Sequence, residues 1–204
     1  MGISDRKERE KEEMRRRILD SAKKLFLEMG YEKTSIRGIA EDIEYSPATI
    51  YLYFKDKNEL LYVLHQEAFV EFGKTFEKVA QLETAFEKLI QLGYEYLNFA
   101  FSNPELYELM FLLTAPMETL EIRDDVWEEG KNVYFALENL VAQCQEEGHF
   151  KNANVPELSM MIWATVHGLV TLQLRKRCGM FSEEEKESRI QGGLNSLIQV
   201  LKAY

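Results

Sequence analysis

Cysteine, histidine and proline are all scarce in this 204-residue chain, and each scarcity excludes something. Two cysteines, Cys144 and Cys178, cannot build a disulfide framework, and neither belongs to a C-x-x-C pair. Three histidines, at 65, 149 and 167, lack metal-ligand spacing, so neither a metal site nor a cofactor is expected. No eighteen apolar residues run together, which argues against a transmembrane span. The charge-crowded stretch 1–17 has no apolar segment of the kind a secretory signal needs. A cytoplasmic protein with no membrane partner is the expectation. At this length one or two domains can bury ~70% of the surface the unfolded chain exposes, so core packing alone suffices.

Positive charge is also in deficit: 25 Lys+Arg against 35 Asp+Glu give a net −10. Taken whole, that balance argues against a polyanionic partner. Its distribution reverses the argument. Residues 1–60 hold 13 basic and 13 acidic side chains, and residues 61–204 hold 12 and 22, so the entire excess lies in the second part. Within 6–24, nine Lys/Arg face five acids. Such asymmetry fits a segment that meets a polyanion joined to an acidic remainder, and it also fits a solvated helix face.

The four prolines stand at 47, 104, 116 and 156, and between them apolar residues recur at spacings of three and four. Ile18, Leu19, Ala22, Leu25, Phe26 and Met29 form the stripe of a first helix, and Gly30 sits where a terminating glycine belongs. Ile36, Ile39, Ala40 and Ile43 follow, entered through Thr34 and Ser35 as candidate N-caps. Ser46-Pro47 reads as an N-cap with proline at the first helical position, opening a helix that ends near Phe54. Asp56 and Glu59 have capping-box spacing ahead of a long helix to about residue 80. Five more helices are expected near 82–102, 104–114, 124–148, 156–178 and 183–203, with a looser segment at 114–124. No segment alternates as a strand should. The expected fold is all-α, with about nine helices: a three-helix helix-turn-helix head and a helical-bundle body.

The helix at 47–54 points to a function. At 100° per residue, Ile50 and Phe54 share an inward side, while Ala48, Thr49 and Leu52 face outward with Tyr51 and Tyr53 on the flanks. An outward face so short, small and poor in charge is odd as solvent surface. It fits a major groove, where methyl and hydroxyl groups meet thymine methyls and base edges. Lys57 stands in a helix first turn, where the macrodipole disfavours a cation; beside exposed N–H groups it makes a phosphate site, and a solvated lysine is the plain alternative. One of Tyr51 and Tyr53 is expected to pack and the other to reach a phosphate. Arg37, just inside the second helix, could reach a backbone or a base, and a merely exposed arginine is the equal alternative.

The run Thr34-Ser35-Ile36-Arg37-Gly38-Ile39-Ala40, then Ser46-Pro47-Ala48-Thr49-Ile50-Tyr51-Leu52-Tyr53-Phe54-Lys55-Asp56-Lys57-Asn58-Glu59-Leu60-Leu61, resembles the DNA-binding domain of TetR-family transcriptional regulators. Upstream, Ile18-Leu19-Asp20-Ser21-Ala22, Leu25-Phe26 and Gly30-Tyr31 resemble that family's first helix. The resemblance covers roughly residues 12–72. It implies a head at 12–72, a ligand-binding and dimer-forming body at 73–204, and an Ω-shaped homodimer. Carried over by position, Thr34, Ser35, Arg37, Tyr45, Ser46, Ala48, Thr49, Tyr51, Tyr53 and Lys57 become the DNA contacts. Thr49 stands where the family often has glycine.

In the second half, Trp163, His167 and Gly168 resemble the W-x-x-x-H-G pattern of one class of TetR C-terminal domains. Trp163 and His167 share a helix face, and Gly168 would let a neighbouring helix approach closely. The body is rich in large apolar groups, core first and ligand-lining second; Phe99, Met110, Phe111, Trp127, Tyr134, Trp163 and His167 are the candidates to line an effector cavity. Dimerisation is expected through the last two helices, where Gly192-Gly193 would permit close approach across a two-fold axis. No nucleophile–base pair, glycine-rich phosphate loop or paired carboxylates suggest an enzyme, and no catalytic residue is expected. The reading is a homodimeric repressor released from a pseudo-palindromic double-stranded DNA operator by a small apolar or aromatic effector. An activator or effector-independent regulator of the same fold is the alternative. The charged arm at 1–13 could extend the first helix or trail along a minor groove, and its five acids among basic residues favour plain solvation.

Overall fold

A computed structural model describes residues 3–113 and 128–204, with side chains from Asp5 onward. Among the described residues there are nine α-helices and no strand: α1 (Ile3–Met29), α2 (Ile36–Asp42), α3 (Pro47–Tyr51), α4 (Lys57–Val79), α5 (Ala85–Ser102), α6 (Pro104–Tyr107), α7 (Glu128–Glu146), α8 (Val155–Leu174) and α9 (Glu183–Ala203). α6 continues as one π-helical turn, Glu108–Leu112, in which Leu113 N donates to Glu108 O at 2.9 Å. The looser segment expected at 114–124, the start of the helix expected from 124 and the candidate Trp127 lie outside the described residues.

Most expected helix ends hold, and the exceptions have local causes. α1 reaches back to Ile3, so the charged arm is helix, supported by pairs such as Arg6–Glu10 at 2.7 Å, one turn apart. α3 stops at Tyr51 instead of Phe54, because Tyr53 N and Phe54 N both turn onto Ile50 O, at 2.9 and 3.0 Å. That turn sends Phe54 inward and leaves Asp56 to cap α4 by accepting from Glu59 N at 2.9 Å. Glu59 closes the box one residue early, on Lys55 N instead of Asp56 N. α8 ends at Leu174, where Lys176 turns into the left-handed region (φ 53) and Arg177 N reaches back to Leu172 O at 2.8 Å.

The chain forms two compact units, and the division falls inside α4 after Phe69. The first unit is built on Ile18, Leu19, Ala22, Phe26, Ile39, Ile50, Phe54, Leu60 and Leu61, all buried. Residues 105–113 follow α5 in the chain, yet they pack in this unit. Leu109 joins its core, Lys23 pairs with Glu105 at 2.9 Å, and Phe111 sets its ring edge-on to Phe69. Asp42 ties α2 to α1 by accepting from Ser21 Oγ at 2.8 Å and Lys24 Nζ at 2.7 Å, and the Lys24 ammonium followed by the Ser21 hydroxyl holds its carboxyl below the usual range.

The second unit packs α5, α7, α8 and α9 around Phe86, Leu89, Leu140, Val141, Cys144, Phe150, Leu158 and Ile162. α5 opens with a capping box, Thr84 with Glu87, and Glu147 adds its carboxylate to Ala85 N at 2.7 Å and Phe86 N at 3.3 Å. The glycines separate by role. A Cβ on Gly193 would meet Leu169 Cδ2 at 2.8 Å, so this glycine lets α9 close on α8 within one chain. Among the described residues nothing lies within 4 Å of a Cβ placed on Gly168 or Gly192, so none of them supplies the close helix neighbour expected at Gly168.

Candidate functional site

Geometry at the head follows from how its three short elements are capped. Ser35 Oγ accepts from Gly38 N at 3.0 Å and starts α2. Ser46 Oγ accepts from Thr49 N at 3.3 Å, lies 3.1 Å from Thr49 Oγ1, and starts α3 with Pro47 behind it. Between them the chain reverses at Glu44, which holds φ 63. Tyr45 N reaches Ala40 O at 2.9 Å and Glu44 N reaches Glu41 O at 3.2 Å, the two bonds of a Schellman motif, with glutamate where glycine is usual. Nothing in the residue pattern announces that turn, because the signal normally read there is glycine.

These caps display one face of α3. Leu52 is 79% exposed, Ala48 is exposed and Thr49 half-exposed, while Ile50 is fully enclosed beneath them. Tyr51 is 57% exposed; Tyr53 is half-buried against the head core. Tyr45 is exposed with the Arg17 guanidinium over its ring, and Arg17 also donates to Ile43 O at 3.3 Å. Arg37 stands out from α2, its Nε on Glu41 at 3.0 Å.

Two of the expected positions are used internally. Thr34 is 2% exposed, and its hydroxyl bonds the carbonyls of Leu25 and Gly30 that end α1, so its side chain serves the interior. Lys57 donates to Tyr31 O at 2.8 Å and sits over the Tyr31 ring at 4.0 Å. This explains a lysine in a helix first turn: its charge is directed away from the N–H groups of α4 and onto the chain just past the end of α1. The Tyr31 hydroxyl in turn donates to Asn58.

In the body, four helices bring aromatic side chains into one run. Phe99 packs on Phe72 at 5.0 Å, and Phe72 meets Tyr96 edge-on at 5.3 Å. The Tyr96 hydroxyl and His167 Nδ1 share a hydrogen bond of 3.2 Å. His167 lies 5.7 Å from Trp163, which meets Tyr134 edge-on at 5.7 Å. Burial lowers the His167 pKa and keeps the imidazole neutral. Of the candidate effector residues, Phe99, Tyr134, Trp163 and His167 belong to this run. Met110 and Phe111 lie in the first unit instead, Met110 buried and Phe111 beside Tyr107 at 4.9 Å. Trp127 falls outside the described residues. Phe72 and Tyr96 were absent from the candidates, since nothing in sequence spacing joins α4 to α5 or α5 to α8.

α8 has an unusual composition for a soluble helix. Its 20 residues are long and apolar enough to cross a membrane by length and composition, with a window of mean hydropathy 1.2, of which 28% is buried within the chain. Met161, Thr165, Gly168 and Leu172 recur along one side, and Met161 and Leu172 are exposed.

A helix-turn-helix head joined to an acidic body whose described elements are all helices defines a class, the DNA-binding transcriptional regulators. Residues 18–63 match the family described as bacterial regulatory proteins, tetR family, and residues 89–191 match the tetracyclin repressor-like C-terminal domain. The second match spans half of the chain: this protein belongs to the TetR family. The fatty acid metabolism regulator protein of Bacillus subtilis (strain 168) is 27% identical over 156 residues, 76% of this chain and 80% of its own length. The fatty acid degradation regulator FadR from Bacillus halodurans shares the fold with TM-score 0.75 and 24% identity, over 90% of this chain and 94% of its own. FadR from Bacillus subtilis, solved in complex with stearoyl-CoA, does so with TM-score 0.70 and 22% identity, over 91% and 96%.

Proposed function

We propose that this regulator is a homodimeric repressor that holds a pseudo-palindromic operator through α3 and releases it when the body takes up a long-chain acyl thioester. The observation that carries the effector class is the run from Phe99 to Tyr134, apolar along its length and interrupted by one polar pair, Tyr96 with His167. Such a lining suits a long hydrocarbon chain with one carbonyl to orient. The stearoyl-CoA complex of the Bacillus subtilis FadR supports the same class.

At the operator, Ala48, Thr49 and Leu52 enter the major groove, and Ser35, Arg37, Tyr45, Ser46 and Tyr51 take the flanking phosphates. Tyr53 and Lys57 set the angle of α3 from within the head, with the Lys57 ammonium near enough to the surface to add a phosphate contact. Thr34 contributes through its backbone. The dimer forms through α8 and α9: α8 is rich in apolar residues that call for burial, and Met160, Met161 and Leu172 on it are left exposed. On α9, Val200 is an exposed apolar residue as well. Half-sites then stand about one turn of DNA, ~34–36 Å, or a multiple of it apart. α5 carries Tyr96 and Phe99 and leads through Asn103 into residues 105–113, which pack in the unit that bears α3. An acyl chain that shifts the end of α5 thereby biases the head, with a coupling of ~1–3 kcal/mol.

The test is fluorescence anisotropy on DNA from upstream of the protein's own coding sequence, in a salt series, with acyl-CoA of increasing chain length added. Specific binding with a log–log salt slope of several units, and release by stearoyl-CoA but not by free CoA or acetyl-CoA, is the expected result. Equal affinity for scrambled DNA rejects the operator reading. Binding untouched by every chain length rejects the effector reading alone.

A further inference from the structure

We propose that the body holds a second small-molecule site, a cleft of about 470 Å³ between the α7–α8 loop and the end of α9, which takes a phosphorylated molecule carrying a flat ring. Its walls are Gly148, His149, Phe150, Lys151 and Asn152 on one side and Leu201, Lys202 and Tyr204 on the other. No residue of the aromatic run takes part, so this inference stands apart from the acyl-thioester reading. The volume falls within the range of small-molecule sites.

The loop wall is prebuilt. α7 ends at Gly148 (φ 98), with Gly148 N on Gln145 O and His149 N on Cys144 O, both at 3.0 Å. Phe150 follows in the left-handed region (φ 52), a conformation rare for a bulky residue, and holds it because its ring is buried between Phe86 and Tyr204. Gln145 Nε2 donates to Phe150 O at 2.8 Å and to Ala153 O at 3.0 Å, fixing the loop from below. Lys151 and Asn152 are thus presented outward from a fixed backbone, so that a ligand has only their side chains to order.

The chemistry of the walls is one-sided. Lys151 and Lys202 come from different elements, both are exposed, and among the described residues neither makes an ion pair or a hydrogen bond. No aspartate or glutamate lines the cleft. Glu147, the acid just before the loop, has its carboxylate on the first N–H groups of α5. In a chain of net charge −10, two lysines facing one cleft with no acidic side chain on its walls favour a phosphate, which lysine meets as a point charge and which must outcompete the α-carboxylate of Tyr204 for them. His149 supplies the flat surface: its ring stacks on Phe86 at 4.1 Å and 12°, and it stays half-exposed in the cleft. A ring stacked on this platform with its phosphate between the lysines uses every one of these features.

The test uses the full chain with AMP, pyrophosphate and adenosine as probes, read by calorimetry and by the imidazole proton signals of His149. AMP is expected to shift the His149 signals and to bind several-fold more tightly than pyrophosphate or adenosine. The double substitution Lys151→Gln, Lys202→Gln, at two exposed positions, should weaken AMP about tenfold, and His149→Ala should weaken AMP while leaving pyrophosphate unchanged. No shift at His149 with millimolar AMP, or an affinity untouched by the double substitution, overturns the site. Pyrophosphate binding as tightly as AMP overturns the ligand class.

Discussion

The head places its polar side chains on helix ends, whereas the body gathers its aromatic side chains from four helices far apart in the chain. Ser35, Ser46 and Asp56 each cap the helix that follows within the head, and every partner is three residues away. Phe72, Tyr96, Tyr134 and Trp163 meet only because α4, α5, α7 and α8 pack together. In the reading proposed above, the elements that meet DNA are each started by local bonds, although the head core also draws on Leu109 and on the Lys23–Glu105 pair. The effector lining of that reading exists only once four helices have packed together.

The sharpest way to break this contrast is to separate support from display within α3. Ile50 is fully buried under the exposed face, so Ile50→Ala should cost ~2–5 kcal/mol in urea denaturation and remove operator binding with it. Thr49→Ala, one residue away and half-exposed, should leave stability within ~0.5 kcal/mol and change which base is preferred. Operator variants bound identically by Thr49→Ala and the parent would show that α3 displays nothing at that position.

Acid should strike the two units through buried imidazoles. His65, in the first unit, is pushed down to about 4 by burial, offset in part by a hydrogen bond to the Met110 backbone; His167, in the second, is lowered by burial. Both are neutral in the folded state at pH 7, and the unfolded chain binds the proton more readily. Stability is therefore fully present above the unfolded value of 6.5 and is lost as pH falls toward the folded value. For His65 the loss amounts to ~3 kcal/mol between pH ~6.5 and ~4. Urea midpoints measured across that range should fall steeply, and His65→Phe should flatten most of the slope. A parent curve that stays level would remove the burial argument for His65.

Legibility in the sequence divides along the same line. The helix ends around Gly30, Ser35, Ser46 and Asp56 are readable because a cap and its partner lie within one turn, and the inward Ile50 and Phe54 are readable because helical period alone fixes a face. The role of Lys57 is not, since its bond to Tyr31 O spans twenty-six positions and needs the fold to close. The partners of Phe72 and Tyr96 are hidden for the same reason: an aromatic residue on an amphipathic helix carries no mark of which distant ring it will meet. Met110 and Phe111 look like body residues by position, yet they sit in the unit that holds α3. Gly193 is legible as a close approach but not as an approach to Leu169 of the same chain.

The body's polar pair offers a smaller and more specific handle. Tyr96→Phe keeps the ring against Phe72 and removes only the hydroxyl facing His167, so the cost should be ~1 kcal/mol. If the pair orients the effector's carbonyl, the same change should weaken release by stearoyl-CoA about fivefold to tenfold while leaving operator affinity in its absence unchanged. Release unaltered by Tyr96→Phe would confine the pair to packing.

The smallest expected effect concerns the turn between α2 and α3, and it runs in the stabilising direction. Glu44 carries a Cβ in the left-handed region, where a non-glycine residue is strained and where the two Schellman bonds require the conformation regardless of side chain. Glu44→Gly relieves that strain, although glycine gives back part of the gain through the entropy of the unfolded chain. The net should be ~0.5–1 kcal/mol of added stability, visible as a rise in the thermal midpoint of a few degrees. The substitution also removes an exposed negative charge next to Tyr45 and Ser46, on the side of the head that displays α3. Nonspecific DNA affinity should therefore increase at low salt and converge with the parent at high salt. Together the two readouts sharpen the contrast between head and body. On the proposed reading, a turn kept strained by a glutamate beside α3 trades stability against indiscriminate binding, and a glycine there should shift both in the same experiment.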